Sequence, residues 1–141
     1  MVDQAIILKK VGLIRAYVAD VRCRLPPEPA AFVADADLHD LVAFHLLLAV
    51  QSAIDIATHI IASEGLGVPS SHREAFESLA ATGMIDHDLA SHVADAVALR
   101  NRLAHAYGSV DWRKVHAEAP MHLDVLEEYA ARMAARTELQ E

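Results

Sequence analysis

Apolar side chains recur at intervals of three and four residues along most of the chain, the spacing that places them on one face of an α-helix. Capping residues, glycines and prolines interrupt this pattern. Five helices are predicted, with approximate bounds 3–22, 35–63, 72–81, 86–107 and 111–139. The chain is therefore predicted to be all-α, and the short connections between its helices favour an up-and-down bundle.

Individual residues define several of the predicted helix ends. Aspartates suited to an N-cap precede three helices, at Asp3, Asp86 and Asp111. The second helix opens at Asp35 or Asp37. Ser71 and Glu74 have the spacing of a capping box, in which each side chain accepts a hydrogen bond from the other residue's backbone N–H. Gly108 stands where the fourth helix would end in a left-handed residue.

Prolines predict two irregularities. The loop at 26–29, with sequence P-P-E-P, ends the first helix and has no functional interpretation. Pro120 removes one backbone donor from the fifth helix, so that helix is predicted to kink there or divide in two.

The second predicted helix is apolar around most of its circumference. A helix with one face in water is usually polar on that face. The helix is therefore predicted to lie at the centre of the bundle, or to form part of a dimer interface. The chain is 141 residues long and 54% hydrophobic, which suits a single domain over 1–141 that buries its own core.

Composition also bears on the cellular compartment. Cys23 is the single cysteine and cannot form an internal disulfide, and no secretory leader is recognised, so a cytoplasmic location is predicted. The most apolar stretch, Leu41–Ala62, contains polar residues such as Asp55 and His59 that are costly in a bilayer. No membrane span is expected.

Charge is distributed unevenly along the chain. The formal net charge is −8, which disfavours a general nucleic-acid coat protein. Residues 99–114 nevertheless carry an excess of three positive charges, from Arg100, Arg102, Arg113 and Lys114 against Asp111. The basic segment therefore contrasts with an acidic remainder.

Within this segment, LRNRLAHAYGS contains the pattern R-x-x-x-x-H-x-Y, formed by Arg100, His105 and Tyr107. On a straight helix Arg100 and Tyr107 share one face, whereas His105 lies about 140° around the axis and about 7.5 Å along it from Arg100. Asn101 is the i,i+4 neighbour of His105 and could orient the imidazole. Arg100 and His105 reach one substrate if the helix ends or distorts before His105, or if a two-fold axis sets two copies of the helix side by side.

These residue types suit cleavage of RNA without a metal ion. An imidazole titrates near neutrality, so it can take a proton from a ribose 2′-hydroxyl or give one to the leaving 5′-oxygen. A guanidinium can stabilise the negative charge on the phosphate oxygens. A structural alternative is favoured by the spacing alone, because cations commonly satisfy the last carbonyls of a helix.

The apolar second helix also carries polar residues that are candidates for a site. Gln51, Asp55 and His59 form an i,i+4,i+8 stripe, which either lines a cleft and tunes His105 or forms a polar seam within the bundle or dimer interface. The seam is the favoured interpretation. Asp55 and Arg102 remain candidates for lining the cleft.

The nine histidines do not form a recognisable metal-ligand pattern, because His87 and His92 would not share a helix face and no H-E-x-x-H sequence occurs. No metal and no cofactor are expected. Trp112 and Tyr129 are predicted to be packing residues rather than base-stacking platforms.

The segment RNRLAHAYGSVDW resembles the signature of the HEPN superfamily, and specifically its HepT-like branch, the toxin half of the HepT–MntA toxin–antitoxin systems. The upstream segment AVQSAIDIATHIIASEGLGVPSSHREAFESLAATGMI is similar to the second and third helices of that branch. The resemblance covers roughly residues 40–135.

This resemblance implies an all-helical bundle that forms a homodimer, with two motifs facing each other across a cleft. The implied function is the toxin of a type VII-like toxin–antitoxin system, a metal-independent endoribonuclease with Arg100 and His105 as catalytic residues and Asn101 supporting them. The implied partner is a minimal, MntA-like nucleotidyltransferase antitoxin that transfers AMP to Tyr107. The alternative is a non-catalytic helical module that binds a nucleotidyltransferase or a nucleotide through the same cleft.

Overall fold

The computed structural model describes residues 2–139, with side chains through residue 137. Its helices are α1 (Gln4–Arg24), α2 (Pro29–Val33), α3 (Ala36–Glu64), α4 (His72–Ala81), α5 (His87–His105) and α6 (Trp112–Leu139). A 3₁₀ turn, Tyr107–Ser109, joins α5 to α6. No strand occurs in this part of the chain, so the predicted all-α class is confirmed.

Helix α3 is the central element of the bundle. It contacts each of the other five helices, while α1 also packs along α6 and α5 packs against both α4 and α6. The largest fully buried side chains come from every helix except α5, and include Ile14, Phe32, Leu46, Phe76 and Leu126. The buried Tyr129 donates a hydrogen bond to the Ala53 carbonyl at 3.0 Å, which confirms its packing role and ties α6 to the middle of α3.

The predicted N-caps are confirmed. Asp3, Asp86 and Asp111 each accept hydrogen bonds from backbone N–H groups in the first turn of the helix that follows. Asp35, rather than Asp37, caps α3 by accepting from the Leu38 N–H at 3.1 Å. The capping box at α4 is only half formed. The Ser71 hydroxyl accepts from the Glu74 N–H, but the Glu74 carboxylate accepts from the Ser70 N–H at 3.2 Å instead of returning to Ser71.

The structure differs from the sequence prediction at two proline-containing segments. The sequence did not predict the short helix α2, which begins at the last residue of the P-P-E-P loop because Pro29 occupies its first position, where the missing N–H costs nothing. Helix α6 runs through Pro120 without dividing, since proline removes only one hydrogen bond and the buried face of α6 continues on both sides of it, from Val115 to Met133.

The N-terminal half of α3 leaves apolar side chains uncovered. Phe44 is 57% exposed, and Leu41 and Leu48 on the same face are half-buried. Helix α3 is also long and apolar enough to cross a bilayer, but 56% of its most apolar window is buried inside the bundle. A core helix with one exposed apolar strip accounts for both observations. Leu41, Phe44 and Leu48 are called the α3 strip below.

Candidate active site

The basic motif lies where α5 ends. Helix α5 stops at His105, because Ala106 leaves the helical region with φ −136° and ψ 35°. The prediction that this helix reaches Tyr107 and ends in a left-handed Gly108 was therefore wrong. The 3₁₀ turn satisfies the local backbone instead, with Ser109 N–H donating to the Ala106 carbonyl at 3.0 Å. Tyr107 is therefore not part of α5 and does not share the helix face that carries Arg100.

The Arg100 guanidinium is held between α3 and α5 by two neutral oxygens. Its Nη2 donates to Oε1 of Gln51 at 2.9 Å, and its Nη1 donates to Oδ1 of Asn101 at 3.1 Å. The Nε atom is buried and makes no hydrogen bond within the described residues. None of the ion pairs in this part of the chain includes Arg100. Hydrogen bonds thus hold the guanidinium in position, and no carboxylate of the described residues pairs with its positive charge.

Gln51 links Arg100 to a chain of polar side chains on α3 and α1. Its Nε2 donates to Asp55 at 2.9 Å, and the other Asp55 oxygen pairs with Lys10 of α1 at 2.9 Å. Partial burial opposes ionisation of Asp55, but the hydrogen bonds from Lys10 and Gln51 outweigh it, and the pKa of this carboxyl lies below its usual value. The seam therefore runs from Lys10 through Asp55 and Gln51 to Arg100.

The third residue of the predicted stripe has a separate role. His59 Nε2 accepts a hydrogen bond from the Asp3 N–H at 2.9 Å, which fixes the start of α1. The spacing of Gln51, Asp55 and His59 could not distinguish these roles, because it defines a shared helix face but not the partners that pack on it.

The resemblance to the HEPN superfamily implies RNA cleavage, and replacing Gln51 with leucine is expected to lower the rate of that cleavage about 10- to 100-fold, because the guanidinium loses the acceptor that orients it. Single-turnover cleavage of a labelled RNA measures the effect. His59→Gln is the matched control: it changes the same stripe while keeping an oxygen for the Asp3 N–H, and it should cleave at the parental rate. Equal rates for Gln51→Leu and the parent would show that this hydrogen bond does not position Arg100.

Asn101 and His105 are not hydrogen-bonded to each other. The Asn101 amide oxygen turns toward Arg100, and the residue also lines an open groove of about 560 Å³ together with Ser71 and Arg73. His105 is exposed on the last turn of α5, with no side-chain hydrogen bond within residues 2–137. The imidazole is therefore free to meet a substrate or another protein chain.

Arg102 contacts α6, whereas Arg100 contacts α3. The Arg102 guanidinium pairs with Glu118 of α6 at 3.2 Å, and the same carboxylate lies 3.8 Å from Lys114. These basic residues line a pocket of about 180 Å³ beside the 3₁₀ turn, together with Ser109 and Asp111. Arg102 is therefore placed on the α6 side of the helix end, while Arg100 is placed on the α3 side.

Tyr107 is fixed by contacts that the sequence did not indicate. Its hydroxyl donates a hydrogen bond to Asp40 of α3, and its ring meets Trp112 edge to face, with centroids 5.2 Å apart. Burial, followed by the hydrogen bond and negative charge of Asp40, raises the pKa of Tyr107 to about 12. The residue remains 38% exposed, while the hydrogen bond to Asp40 holds its neutral hydroxyl in a defined position.

Trp112 in turn stacks on His39 of α3, with ring centroids 4.2 Å apart and planes 11° apart. The His39 ring nitrogen Nε2 lies 2.6 Å from the Phe32 carbonyl of α2. The predicted packing role of Trp112 is confirmed. Within the described residues, no group of three or more His, Cys, Asp or Glu side chains is arranged to hold a metal ion.

Comparison with known proteins places these residues in a wider context. A family model described as ribonuclease HepT-like matches residues 7–133. The mRNA nuclease HepT of Shewanella oneidensis is 29% identical over 88% of this chain and 92% of its own length. The tRNA nuclease HepT of Aphanizomenon flos-aquae is 37% identical over a shorter match, half of this chain and 48% of its own length.

Solved structures are similar over nearly the whole chain. The tri-AMPylated HEPN toxin of Shewanella oneidensis in complex with the MNT antitoxin is 29% identical, with a TM-score of 0.84 over 96% of this chain and 99% of that chain. A toxin–antitoxin complex with AMP-PNP gives a TM-score of 0.85 at 27% identity, over 93% and 98%. The cytosolic protein YutE of Bacillus subtilis shares the fold at 15% identity and a TM-score of 0.84, over 99% and 93%.

Proposed function

The chain belongs to the HepT-like ribonuclease family, and we propose that Arg100 and His105 carry out its RNA cleavage without a metal ion, with Asn101 in support. One observation carries this assignment. At the end of α5, an arginine held only by uncharged oxygens lies five residues from an exposed imidazole. Cleavage of an RNA phosphodiester requires a cation that stabilises the charge on the phosphate oxygens and a group that transfers a proton.

The proposed reaction uses the 2′-hydroxyl of the RNA as nucleophile. Its oxygen attacks the adjacent phosphorus, and the bond from phosphorus to the 5′-oxygen breaks. His105 accepts the proton of the 2′-hydroxyl or donates a proton to the leaving 5′-oxygen, and water performs the other of these two transfers. Arg100 stabilises the negative charge that increases on the phosphate oxygens. The products are a 2′,3′-cyclic phosphate and a 5′-hydroxyl.

We propose that the working site forms in a homodimer. The Arg100 guanidinium contacts α3, whereas His105 makes no side-chain hydrogen bond within the described residues. One protomer therefore does not join these two side chains by hydrogen bonds. The α3 strip lies between Asp40, which contacts Tyr107, and Gln51, which contacts Arg100. A second copy covering this exposed apolar strip would bring its own helix end to the same place.

We further propose that this chain is the toxin of a toxin–antitoxin pair and that a minimal nucleotidyltransferase of the MntA type transfers AMP to Tyr107. Complexes of related toxins with the MNT antitoxin, one of them tri-AMPylated, support this partner. The exposure of Tyr107, at the same helix end as His105, supports this residue as the acceptor. The single domain, 1–141, would act in the cytoplasm, where its RNA substrates are.

Incubation of the purified protein with RNA in EDTA is expected to give undiminished cleavage, because arginine and histidine supply the charge and the proton transfer. The fragments should end in cyclic phosphate and 5′-hydroxyl groups, which end-specific labelling detects. The His105→Ala variant, which lacks the proposed proton-transfer group, serves as the matched control for contaminating nuclease. Cleavage that disappears with EDTA would overturn the metal-independent mechanism, and RNA binding without cleavage would favour the non-catalytic alternative.

A further inference from the structure

The Tyr107 hydroxyl has a specific partner on another helix. The hydrogen bond from Tyr107 to Asp40 joins residues 67 positions apart, and it anchors a 3₁₀ turn that buries none of its own side chains. Two consecutive residues of α3 support the Tyr107 side chain, one through Trp112 and one directly. His39 stacks on the Trp112 ring that supports the Tyr107 ring, while Asp40 accepts from the hydroxyl.

Asp40 is available as a proton acceptor. It is exposed, and none of the ion pairs within the described side chains includes it, in contrast to Asp55, which is paired with Lys10. The hydrogen bond from the Tyr107 hydroxyl to the Asp40 carboxylate therefore has no competition from a salt bridge among the described side chains. The carboxylate of Asp40 already accepts a hydrogen bond from the hydroxyl proton of Tyr107, which is the proton that must leave when the oxygen forms a new bond.

Nucleotidyl transfer to a tyrosine requires the loss of that proton. The Tyr107 oxygen forms a bond to the α-phosphorus of a nucleoside triphosphate held by the transferase, and the bond from that phosphorus to the bridging oxygen breaks to release pyrophosphate. The phenolic proton has to pass to a base. With a pKa of about 12 for Tyr107, only about one molecule in 10⁵ is phenolate at pH 7, so attack by the free phenolate is slow.

We propose that Asp40 supplies this base: it orients the Tyr107 hydroxyl toward the incoming triphosphate and accepts its proton as the oxygen–phosphorus bond forms. The modified protein thereby contributes a catalytic group to its own modification. In protein kinases an aspartate of the enzyme accepts the proton of the substrate hydroxyl during phosphoryl transfer, and here the aspartate would belong to the acceptor protein. This inference rests on the proposed function, since it requires Tyr107 to be the acceptor.

The test uses the full-length protein, a purified MNT nucleotidyltransferase and ATP labelled at the α-phosphate. The initial rate of label transfer is measured, and the modified residue is mapped by mass spectrometry. The Asp40→Asn variant is expected to be labelled about 100-fold more slowly than the parent, because it keeps the shape of the side chain but cannot take the proton. The Asp40→Glu variant should recover part of the rate.

Asp37→Asn is the matched control. It removes an exposed carboxylate from the first turn of the same helix, and it should be labelled at the parental rate. Circular dichroism and thermal unfolding of each variant establish that it is folded, so slow labelling of a folded Asp40→Asn protein reports the missing base.

The dependence of the rate on pH separates proton transfer from a structural effect. The ratio of the Asp40→Asn rate to the parental rate cancels the transferase's own titration. This ratio should rise with pH, because the variant depends on phenolate while the parent does not. A constant ratio would indicate that Asp40 only supports the turn and would overturn the inference.

The remaining outcomes distinguish this inference from the proposed function. Label on Tyr107 at equal rates in the parent and Asp40→Asn would overturn the role of Asp40 and leave Tyr107 as the acceptor. No label on Tyr107 in the parent would overturn both.

Discussion

Replacing His105 with alanine is expected to lower the rate of RNA cleavage about 10²- to 10⁴-fold, because the reaction loses its only assigned proton-transfer group. Arg100→Ala should lower it about 10²- to 10³-fold through loss of charge stabilisation on the phosphate. Both proteins should be harmless when overproduced in cells. Cleavage of a labelled RNA and growth of the producing cells measure the two effects.

Mixing the two inactive variants tests whether a site takes Arg100 from one protomer and His105 from its partner. If it does, a dimer of one Arg100→Ala chain and one His105→Ala chain retains one intact site and has one doubly altered site. Equal mixing and exchange should then restore about a quarter of the parental activity, because half the dimers are mixed and each has one of two sites. A mixture of either variant with itself is the control.

Other outcomes of the mixing experiment have clear meanings. No recovery, in a sample that light scattering shows to be dimeric, would mean that each site uses both residues of one chain or all four residues together. Full activity of either single variant would show that the residue assignment is wrong.

Transfer of AMP to Tyr107 is expected to abolish RNA cleavage in proportion to the fraction modified. The added nucleotide carries a negative phosphate and a bulky base, and it is attached two residues from His105 at the same helix end. It would repel an RNA phosphate and occupy the space that the RNA needs. Parallel measurement of intact mass and RNA cleavage during modification tests this relation.

The Tyr107→Phe variant provides the comparison for this experiment. It lacks the acceptor oxygen, so it should gain no mass and should remain an active nuclease in the presence of the transferase. Inhibition of Tyr107→Phe by the transferase and ATP would point to binding of the partner, rather than the covalent group, as the source of neutralisation.

Local signals in the sequence predicted most of the fold. Each capping aspartate acts on backbone groups within three residues, so Asp3, Asp86 and Asp111 could be identified without knowledge of the rest of the structure. Gly108 predicts a left-handed end after Tyr107, whereas α5 ends two residues earlier, at His105. Whether a helix continues or tightens into a 3₁₀ turn depends on what the next segment contacts, and here that contact is made by Tyr107 with a distant helix.

The candidate site was only partly predictable for the same reason. The motif identified Arg100 and His105 from their chemical types and spacing, and α5 placed them on different sides as helical geometry requires. The partners that define the site, Gln51 for Arg100 and Asp40 for Tyr107, come from α3, 49 and 67 positions away. An exposed acidic residue among several others in the chain gives no sign of such a contact.

The contact between Tyr107 and Trp112 has a practical consequence. Trp112 is the only tryptophan in the chain, so fluorescence excited at the long-wavelength edge of protein absorption comes from this one indole. That indole lies against the phenol proposed to receive AMP and stacks on His39. A purine attached to Tyr107 would alter the surroundings of the indole, so the intrinsic fluorescence of the unlabelled protein could follow its switching on and off in real time.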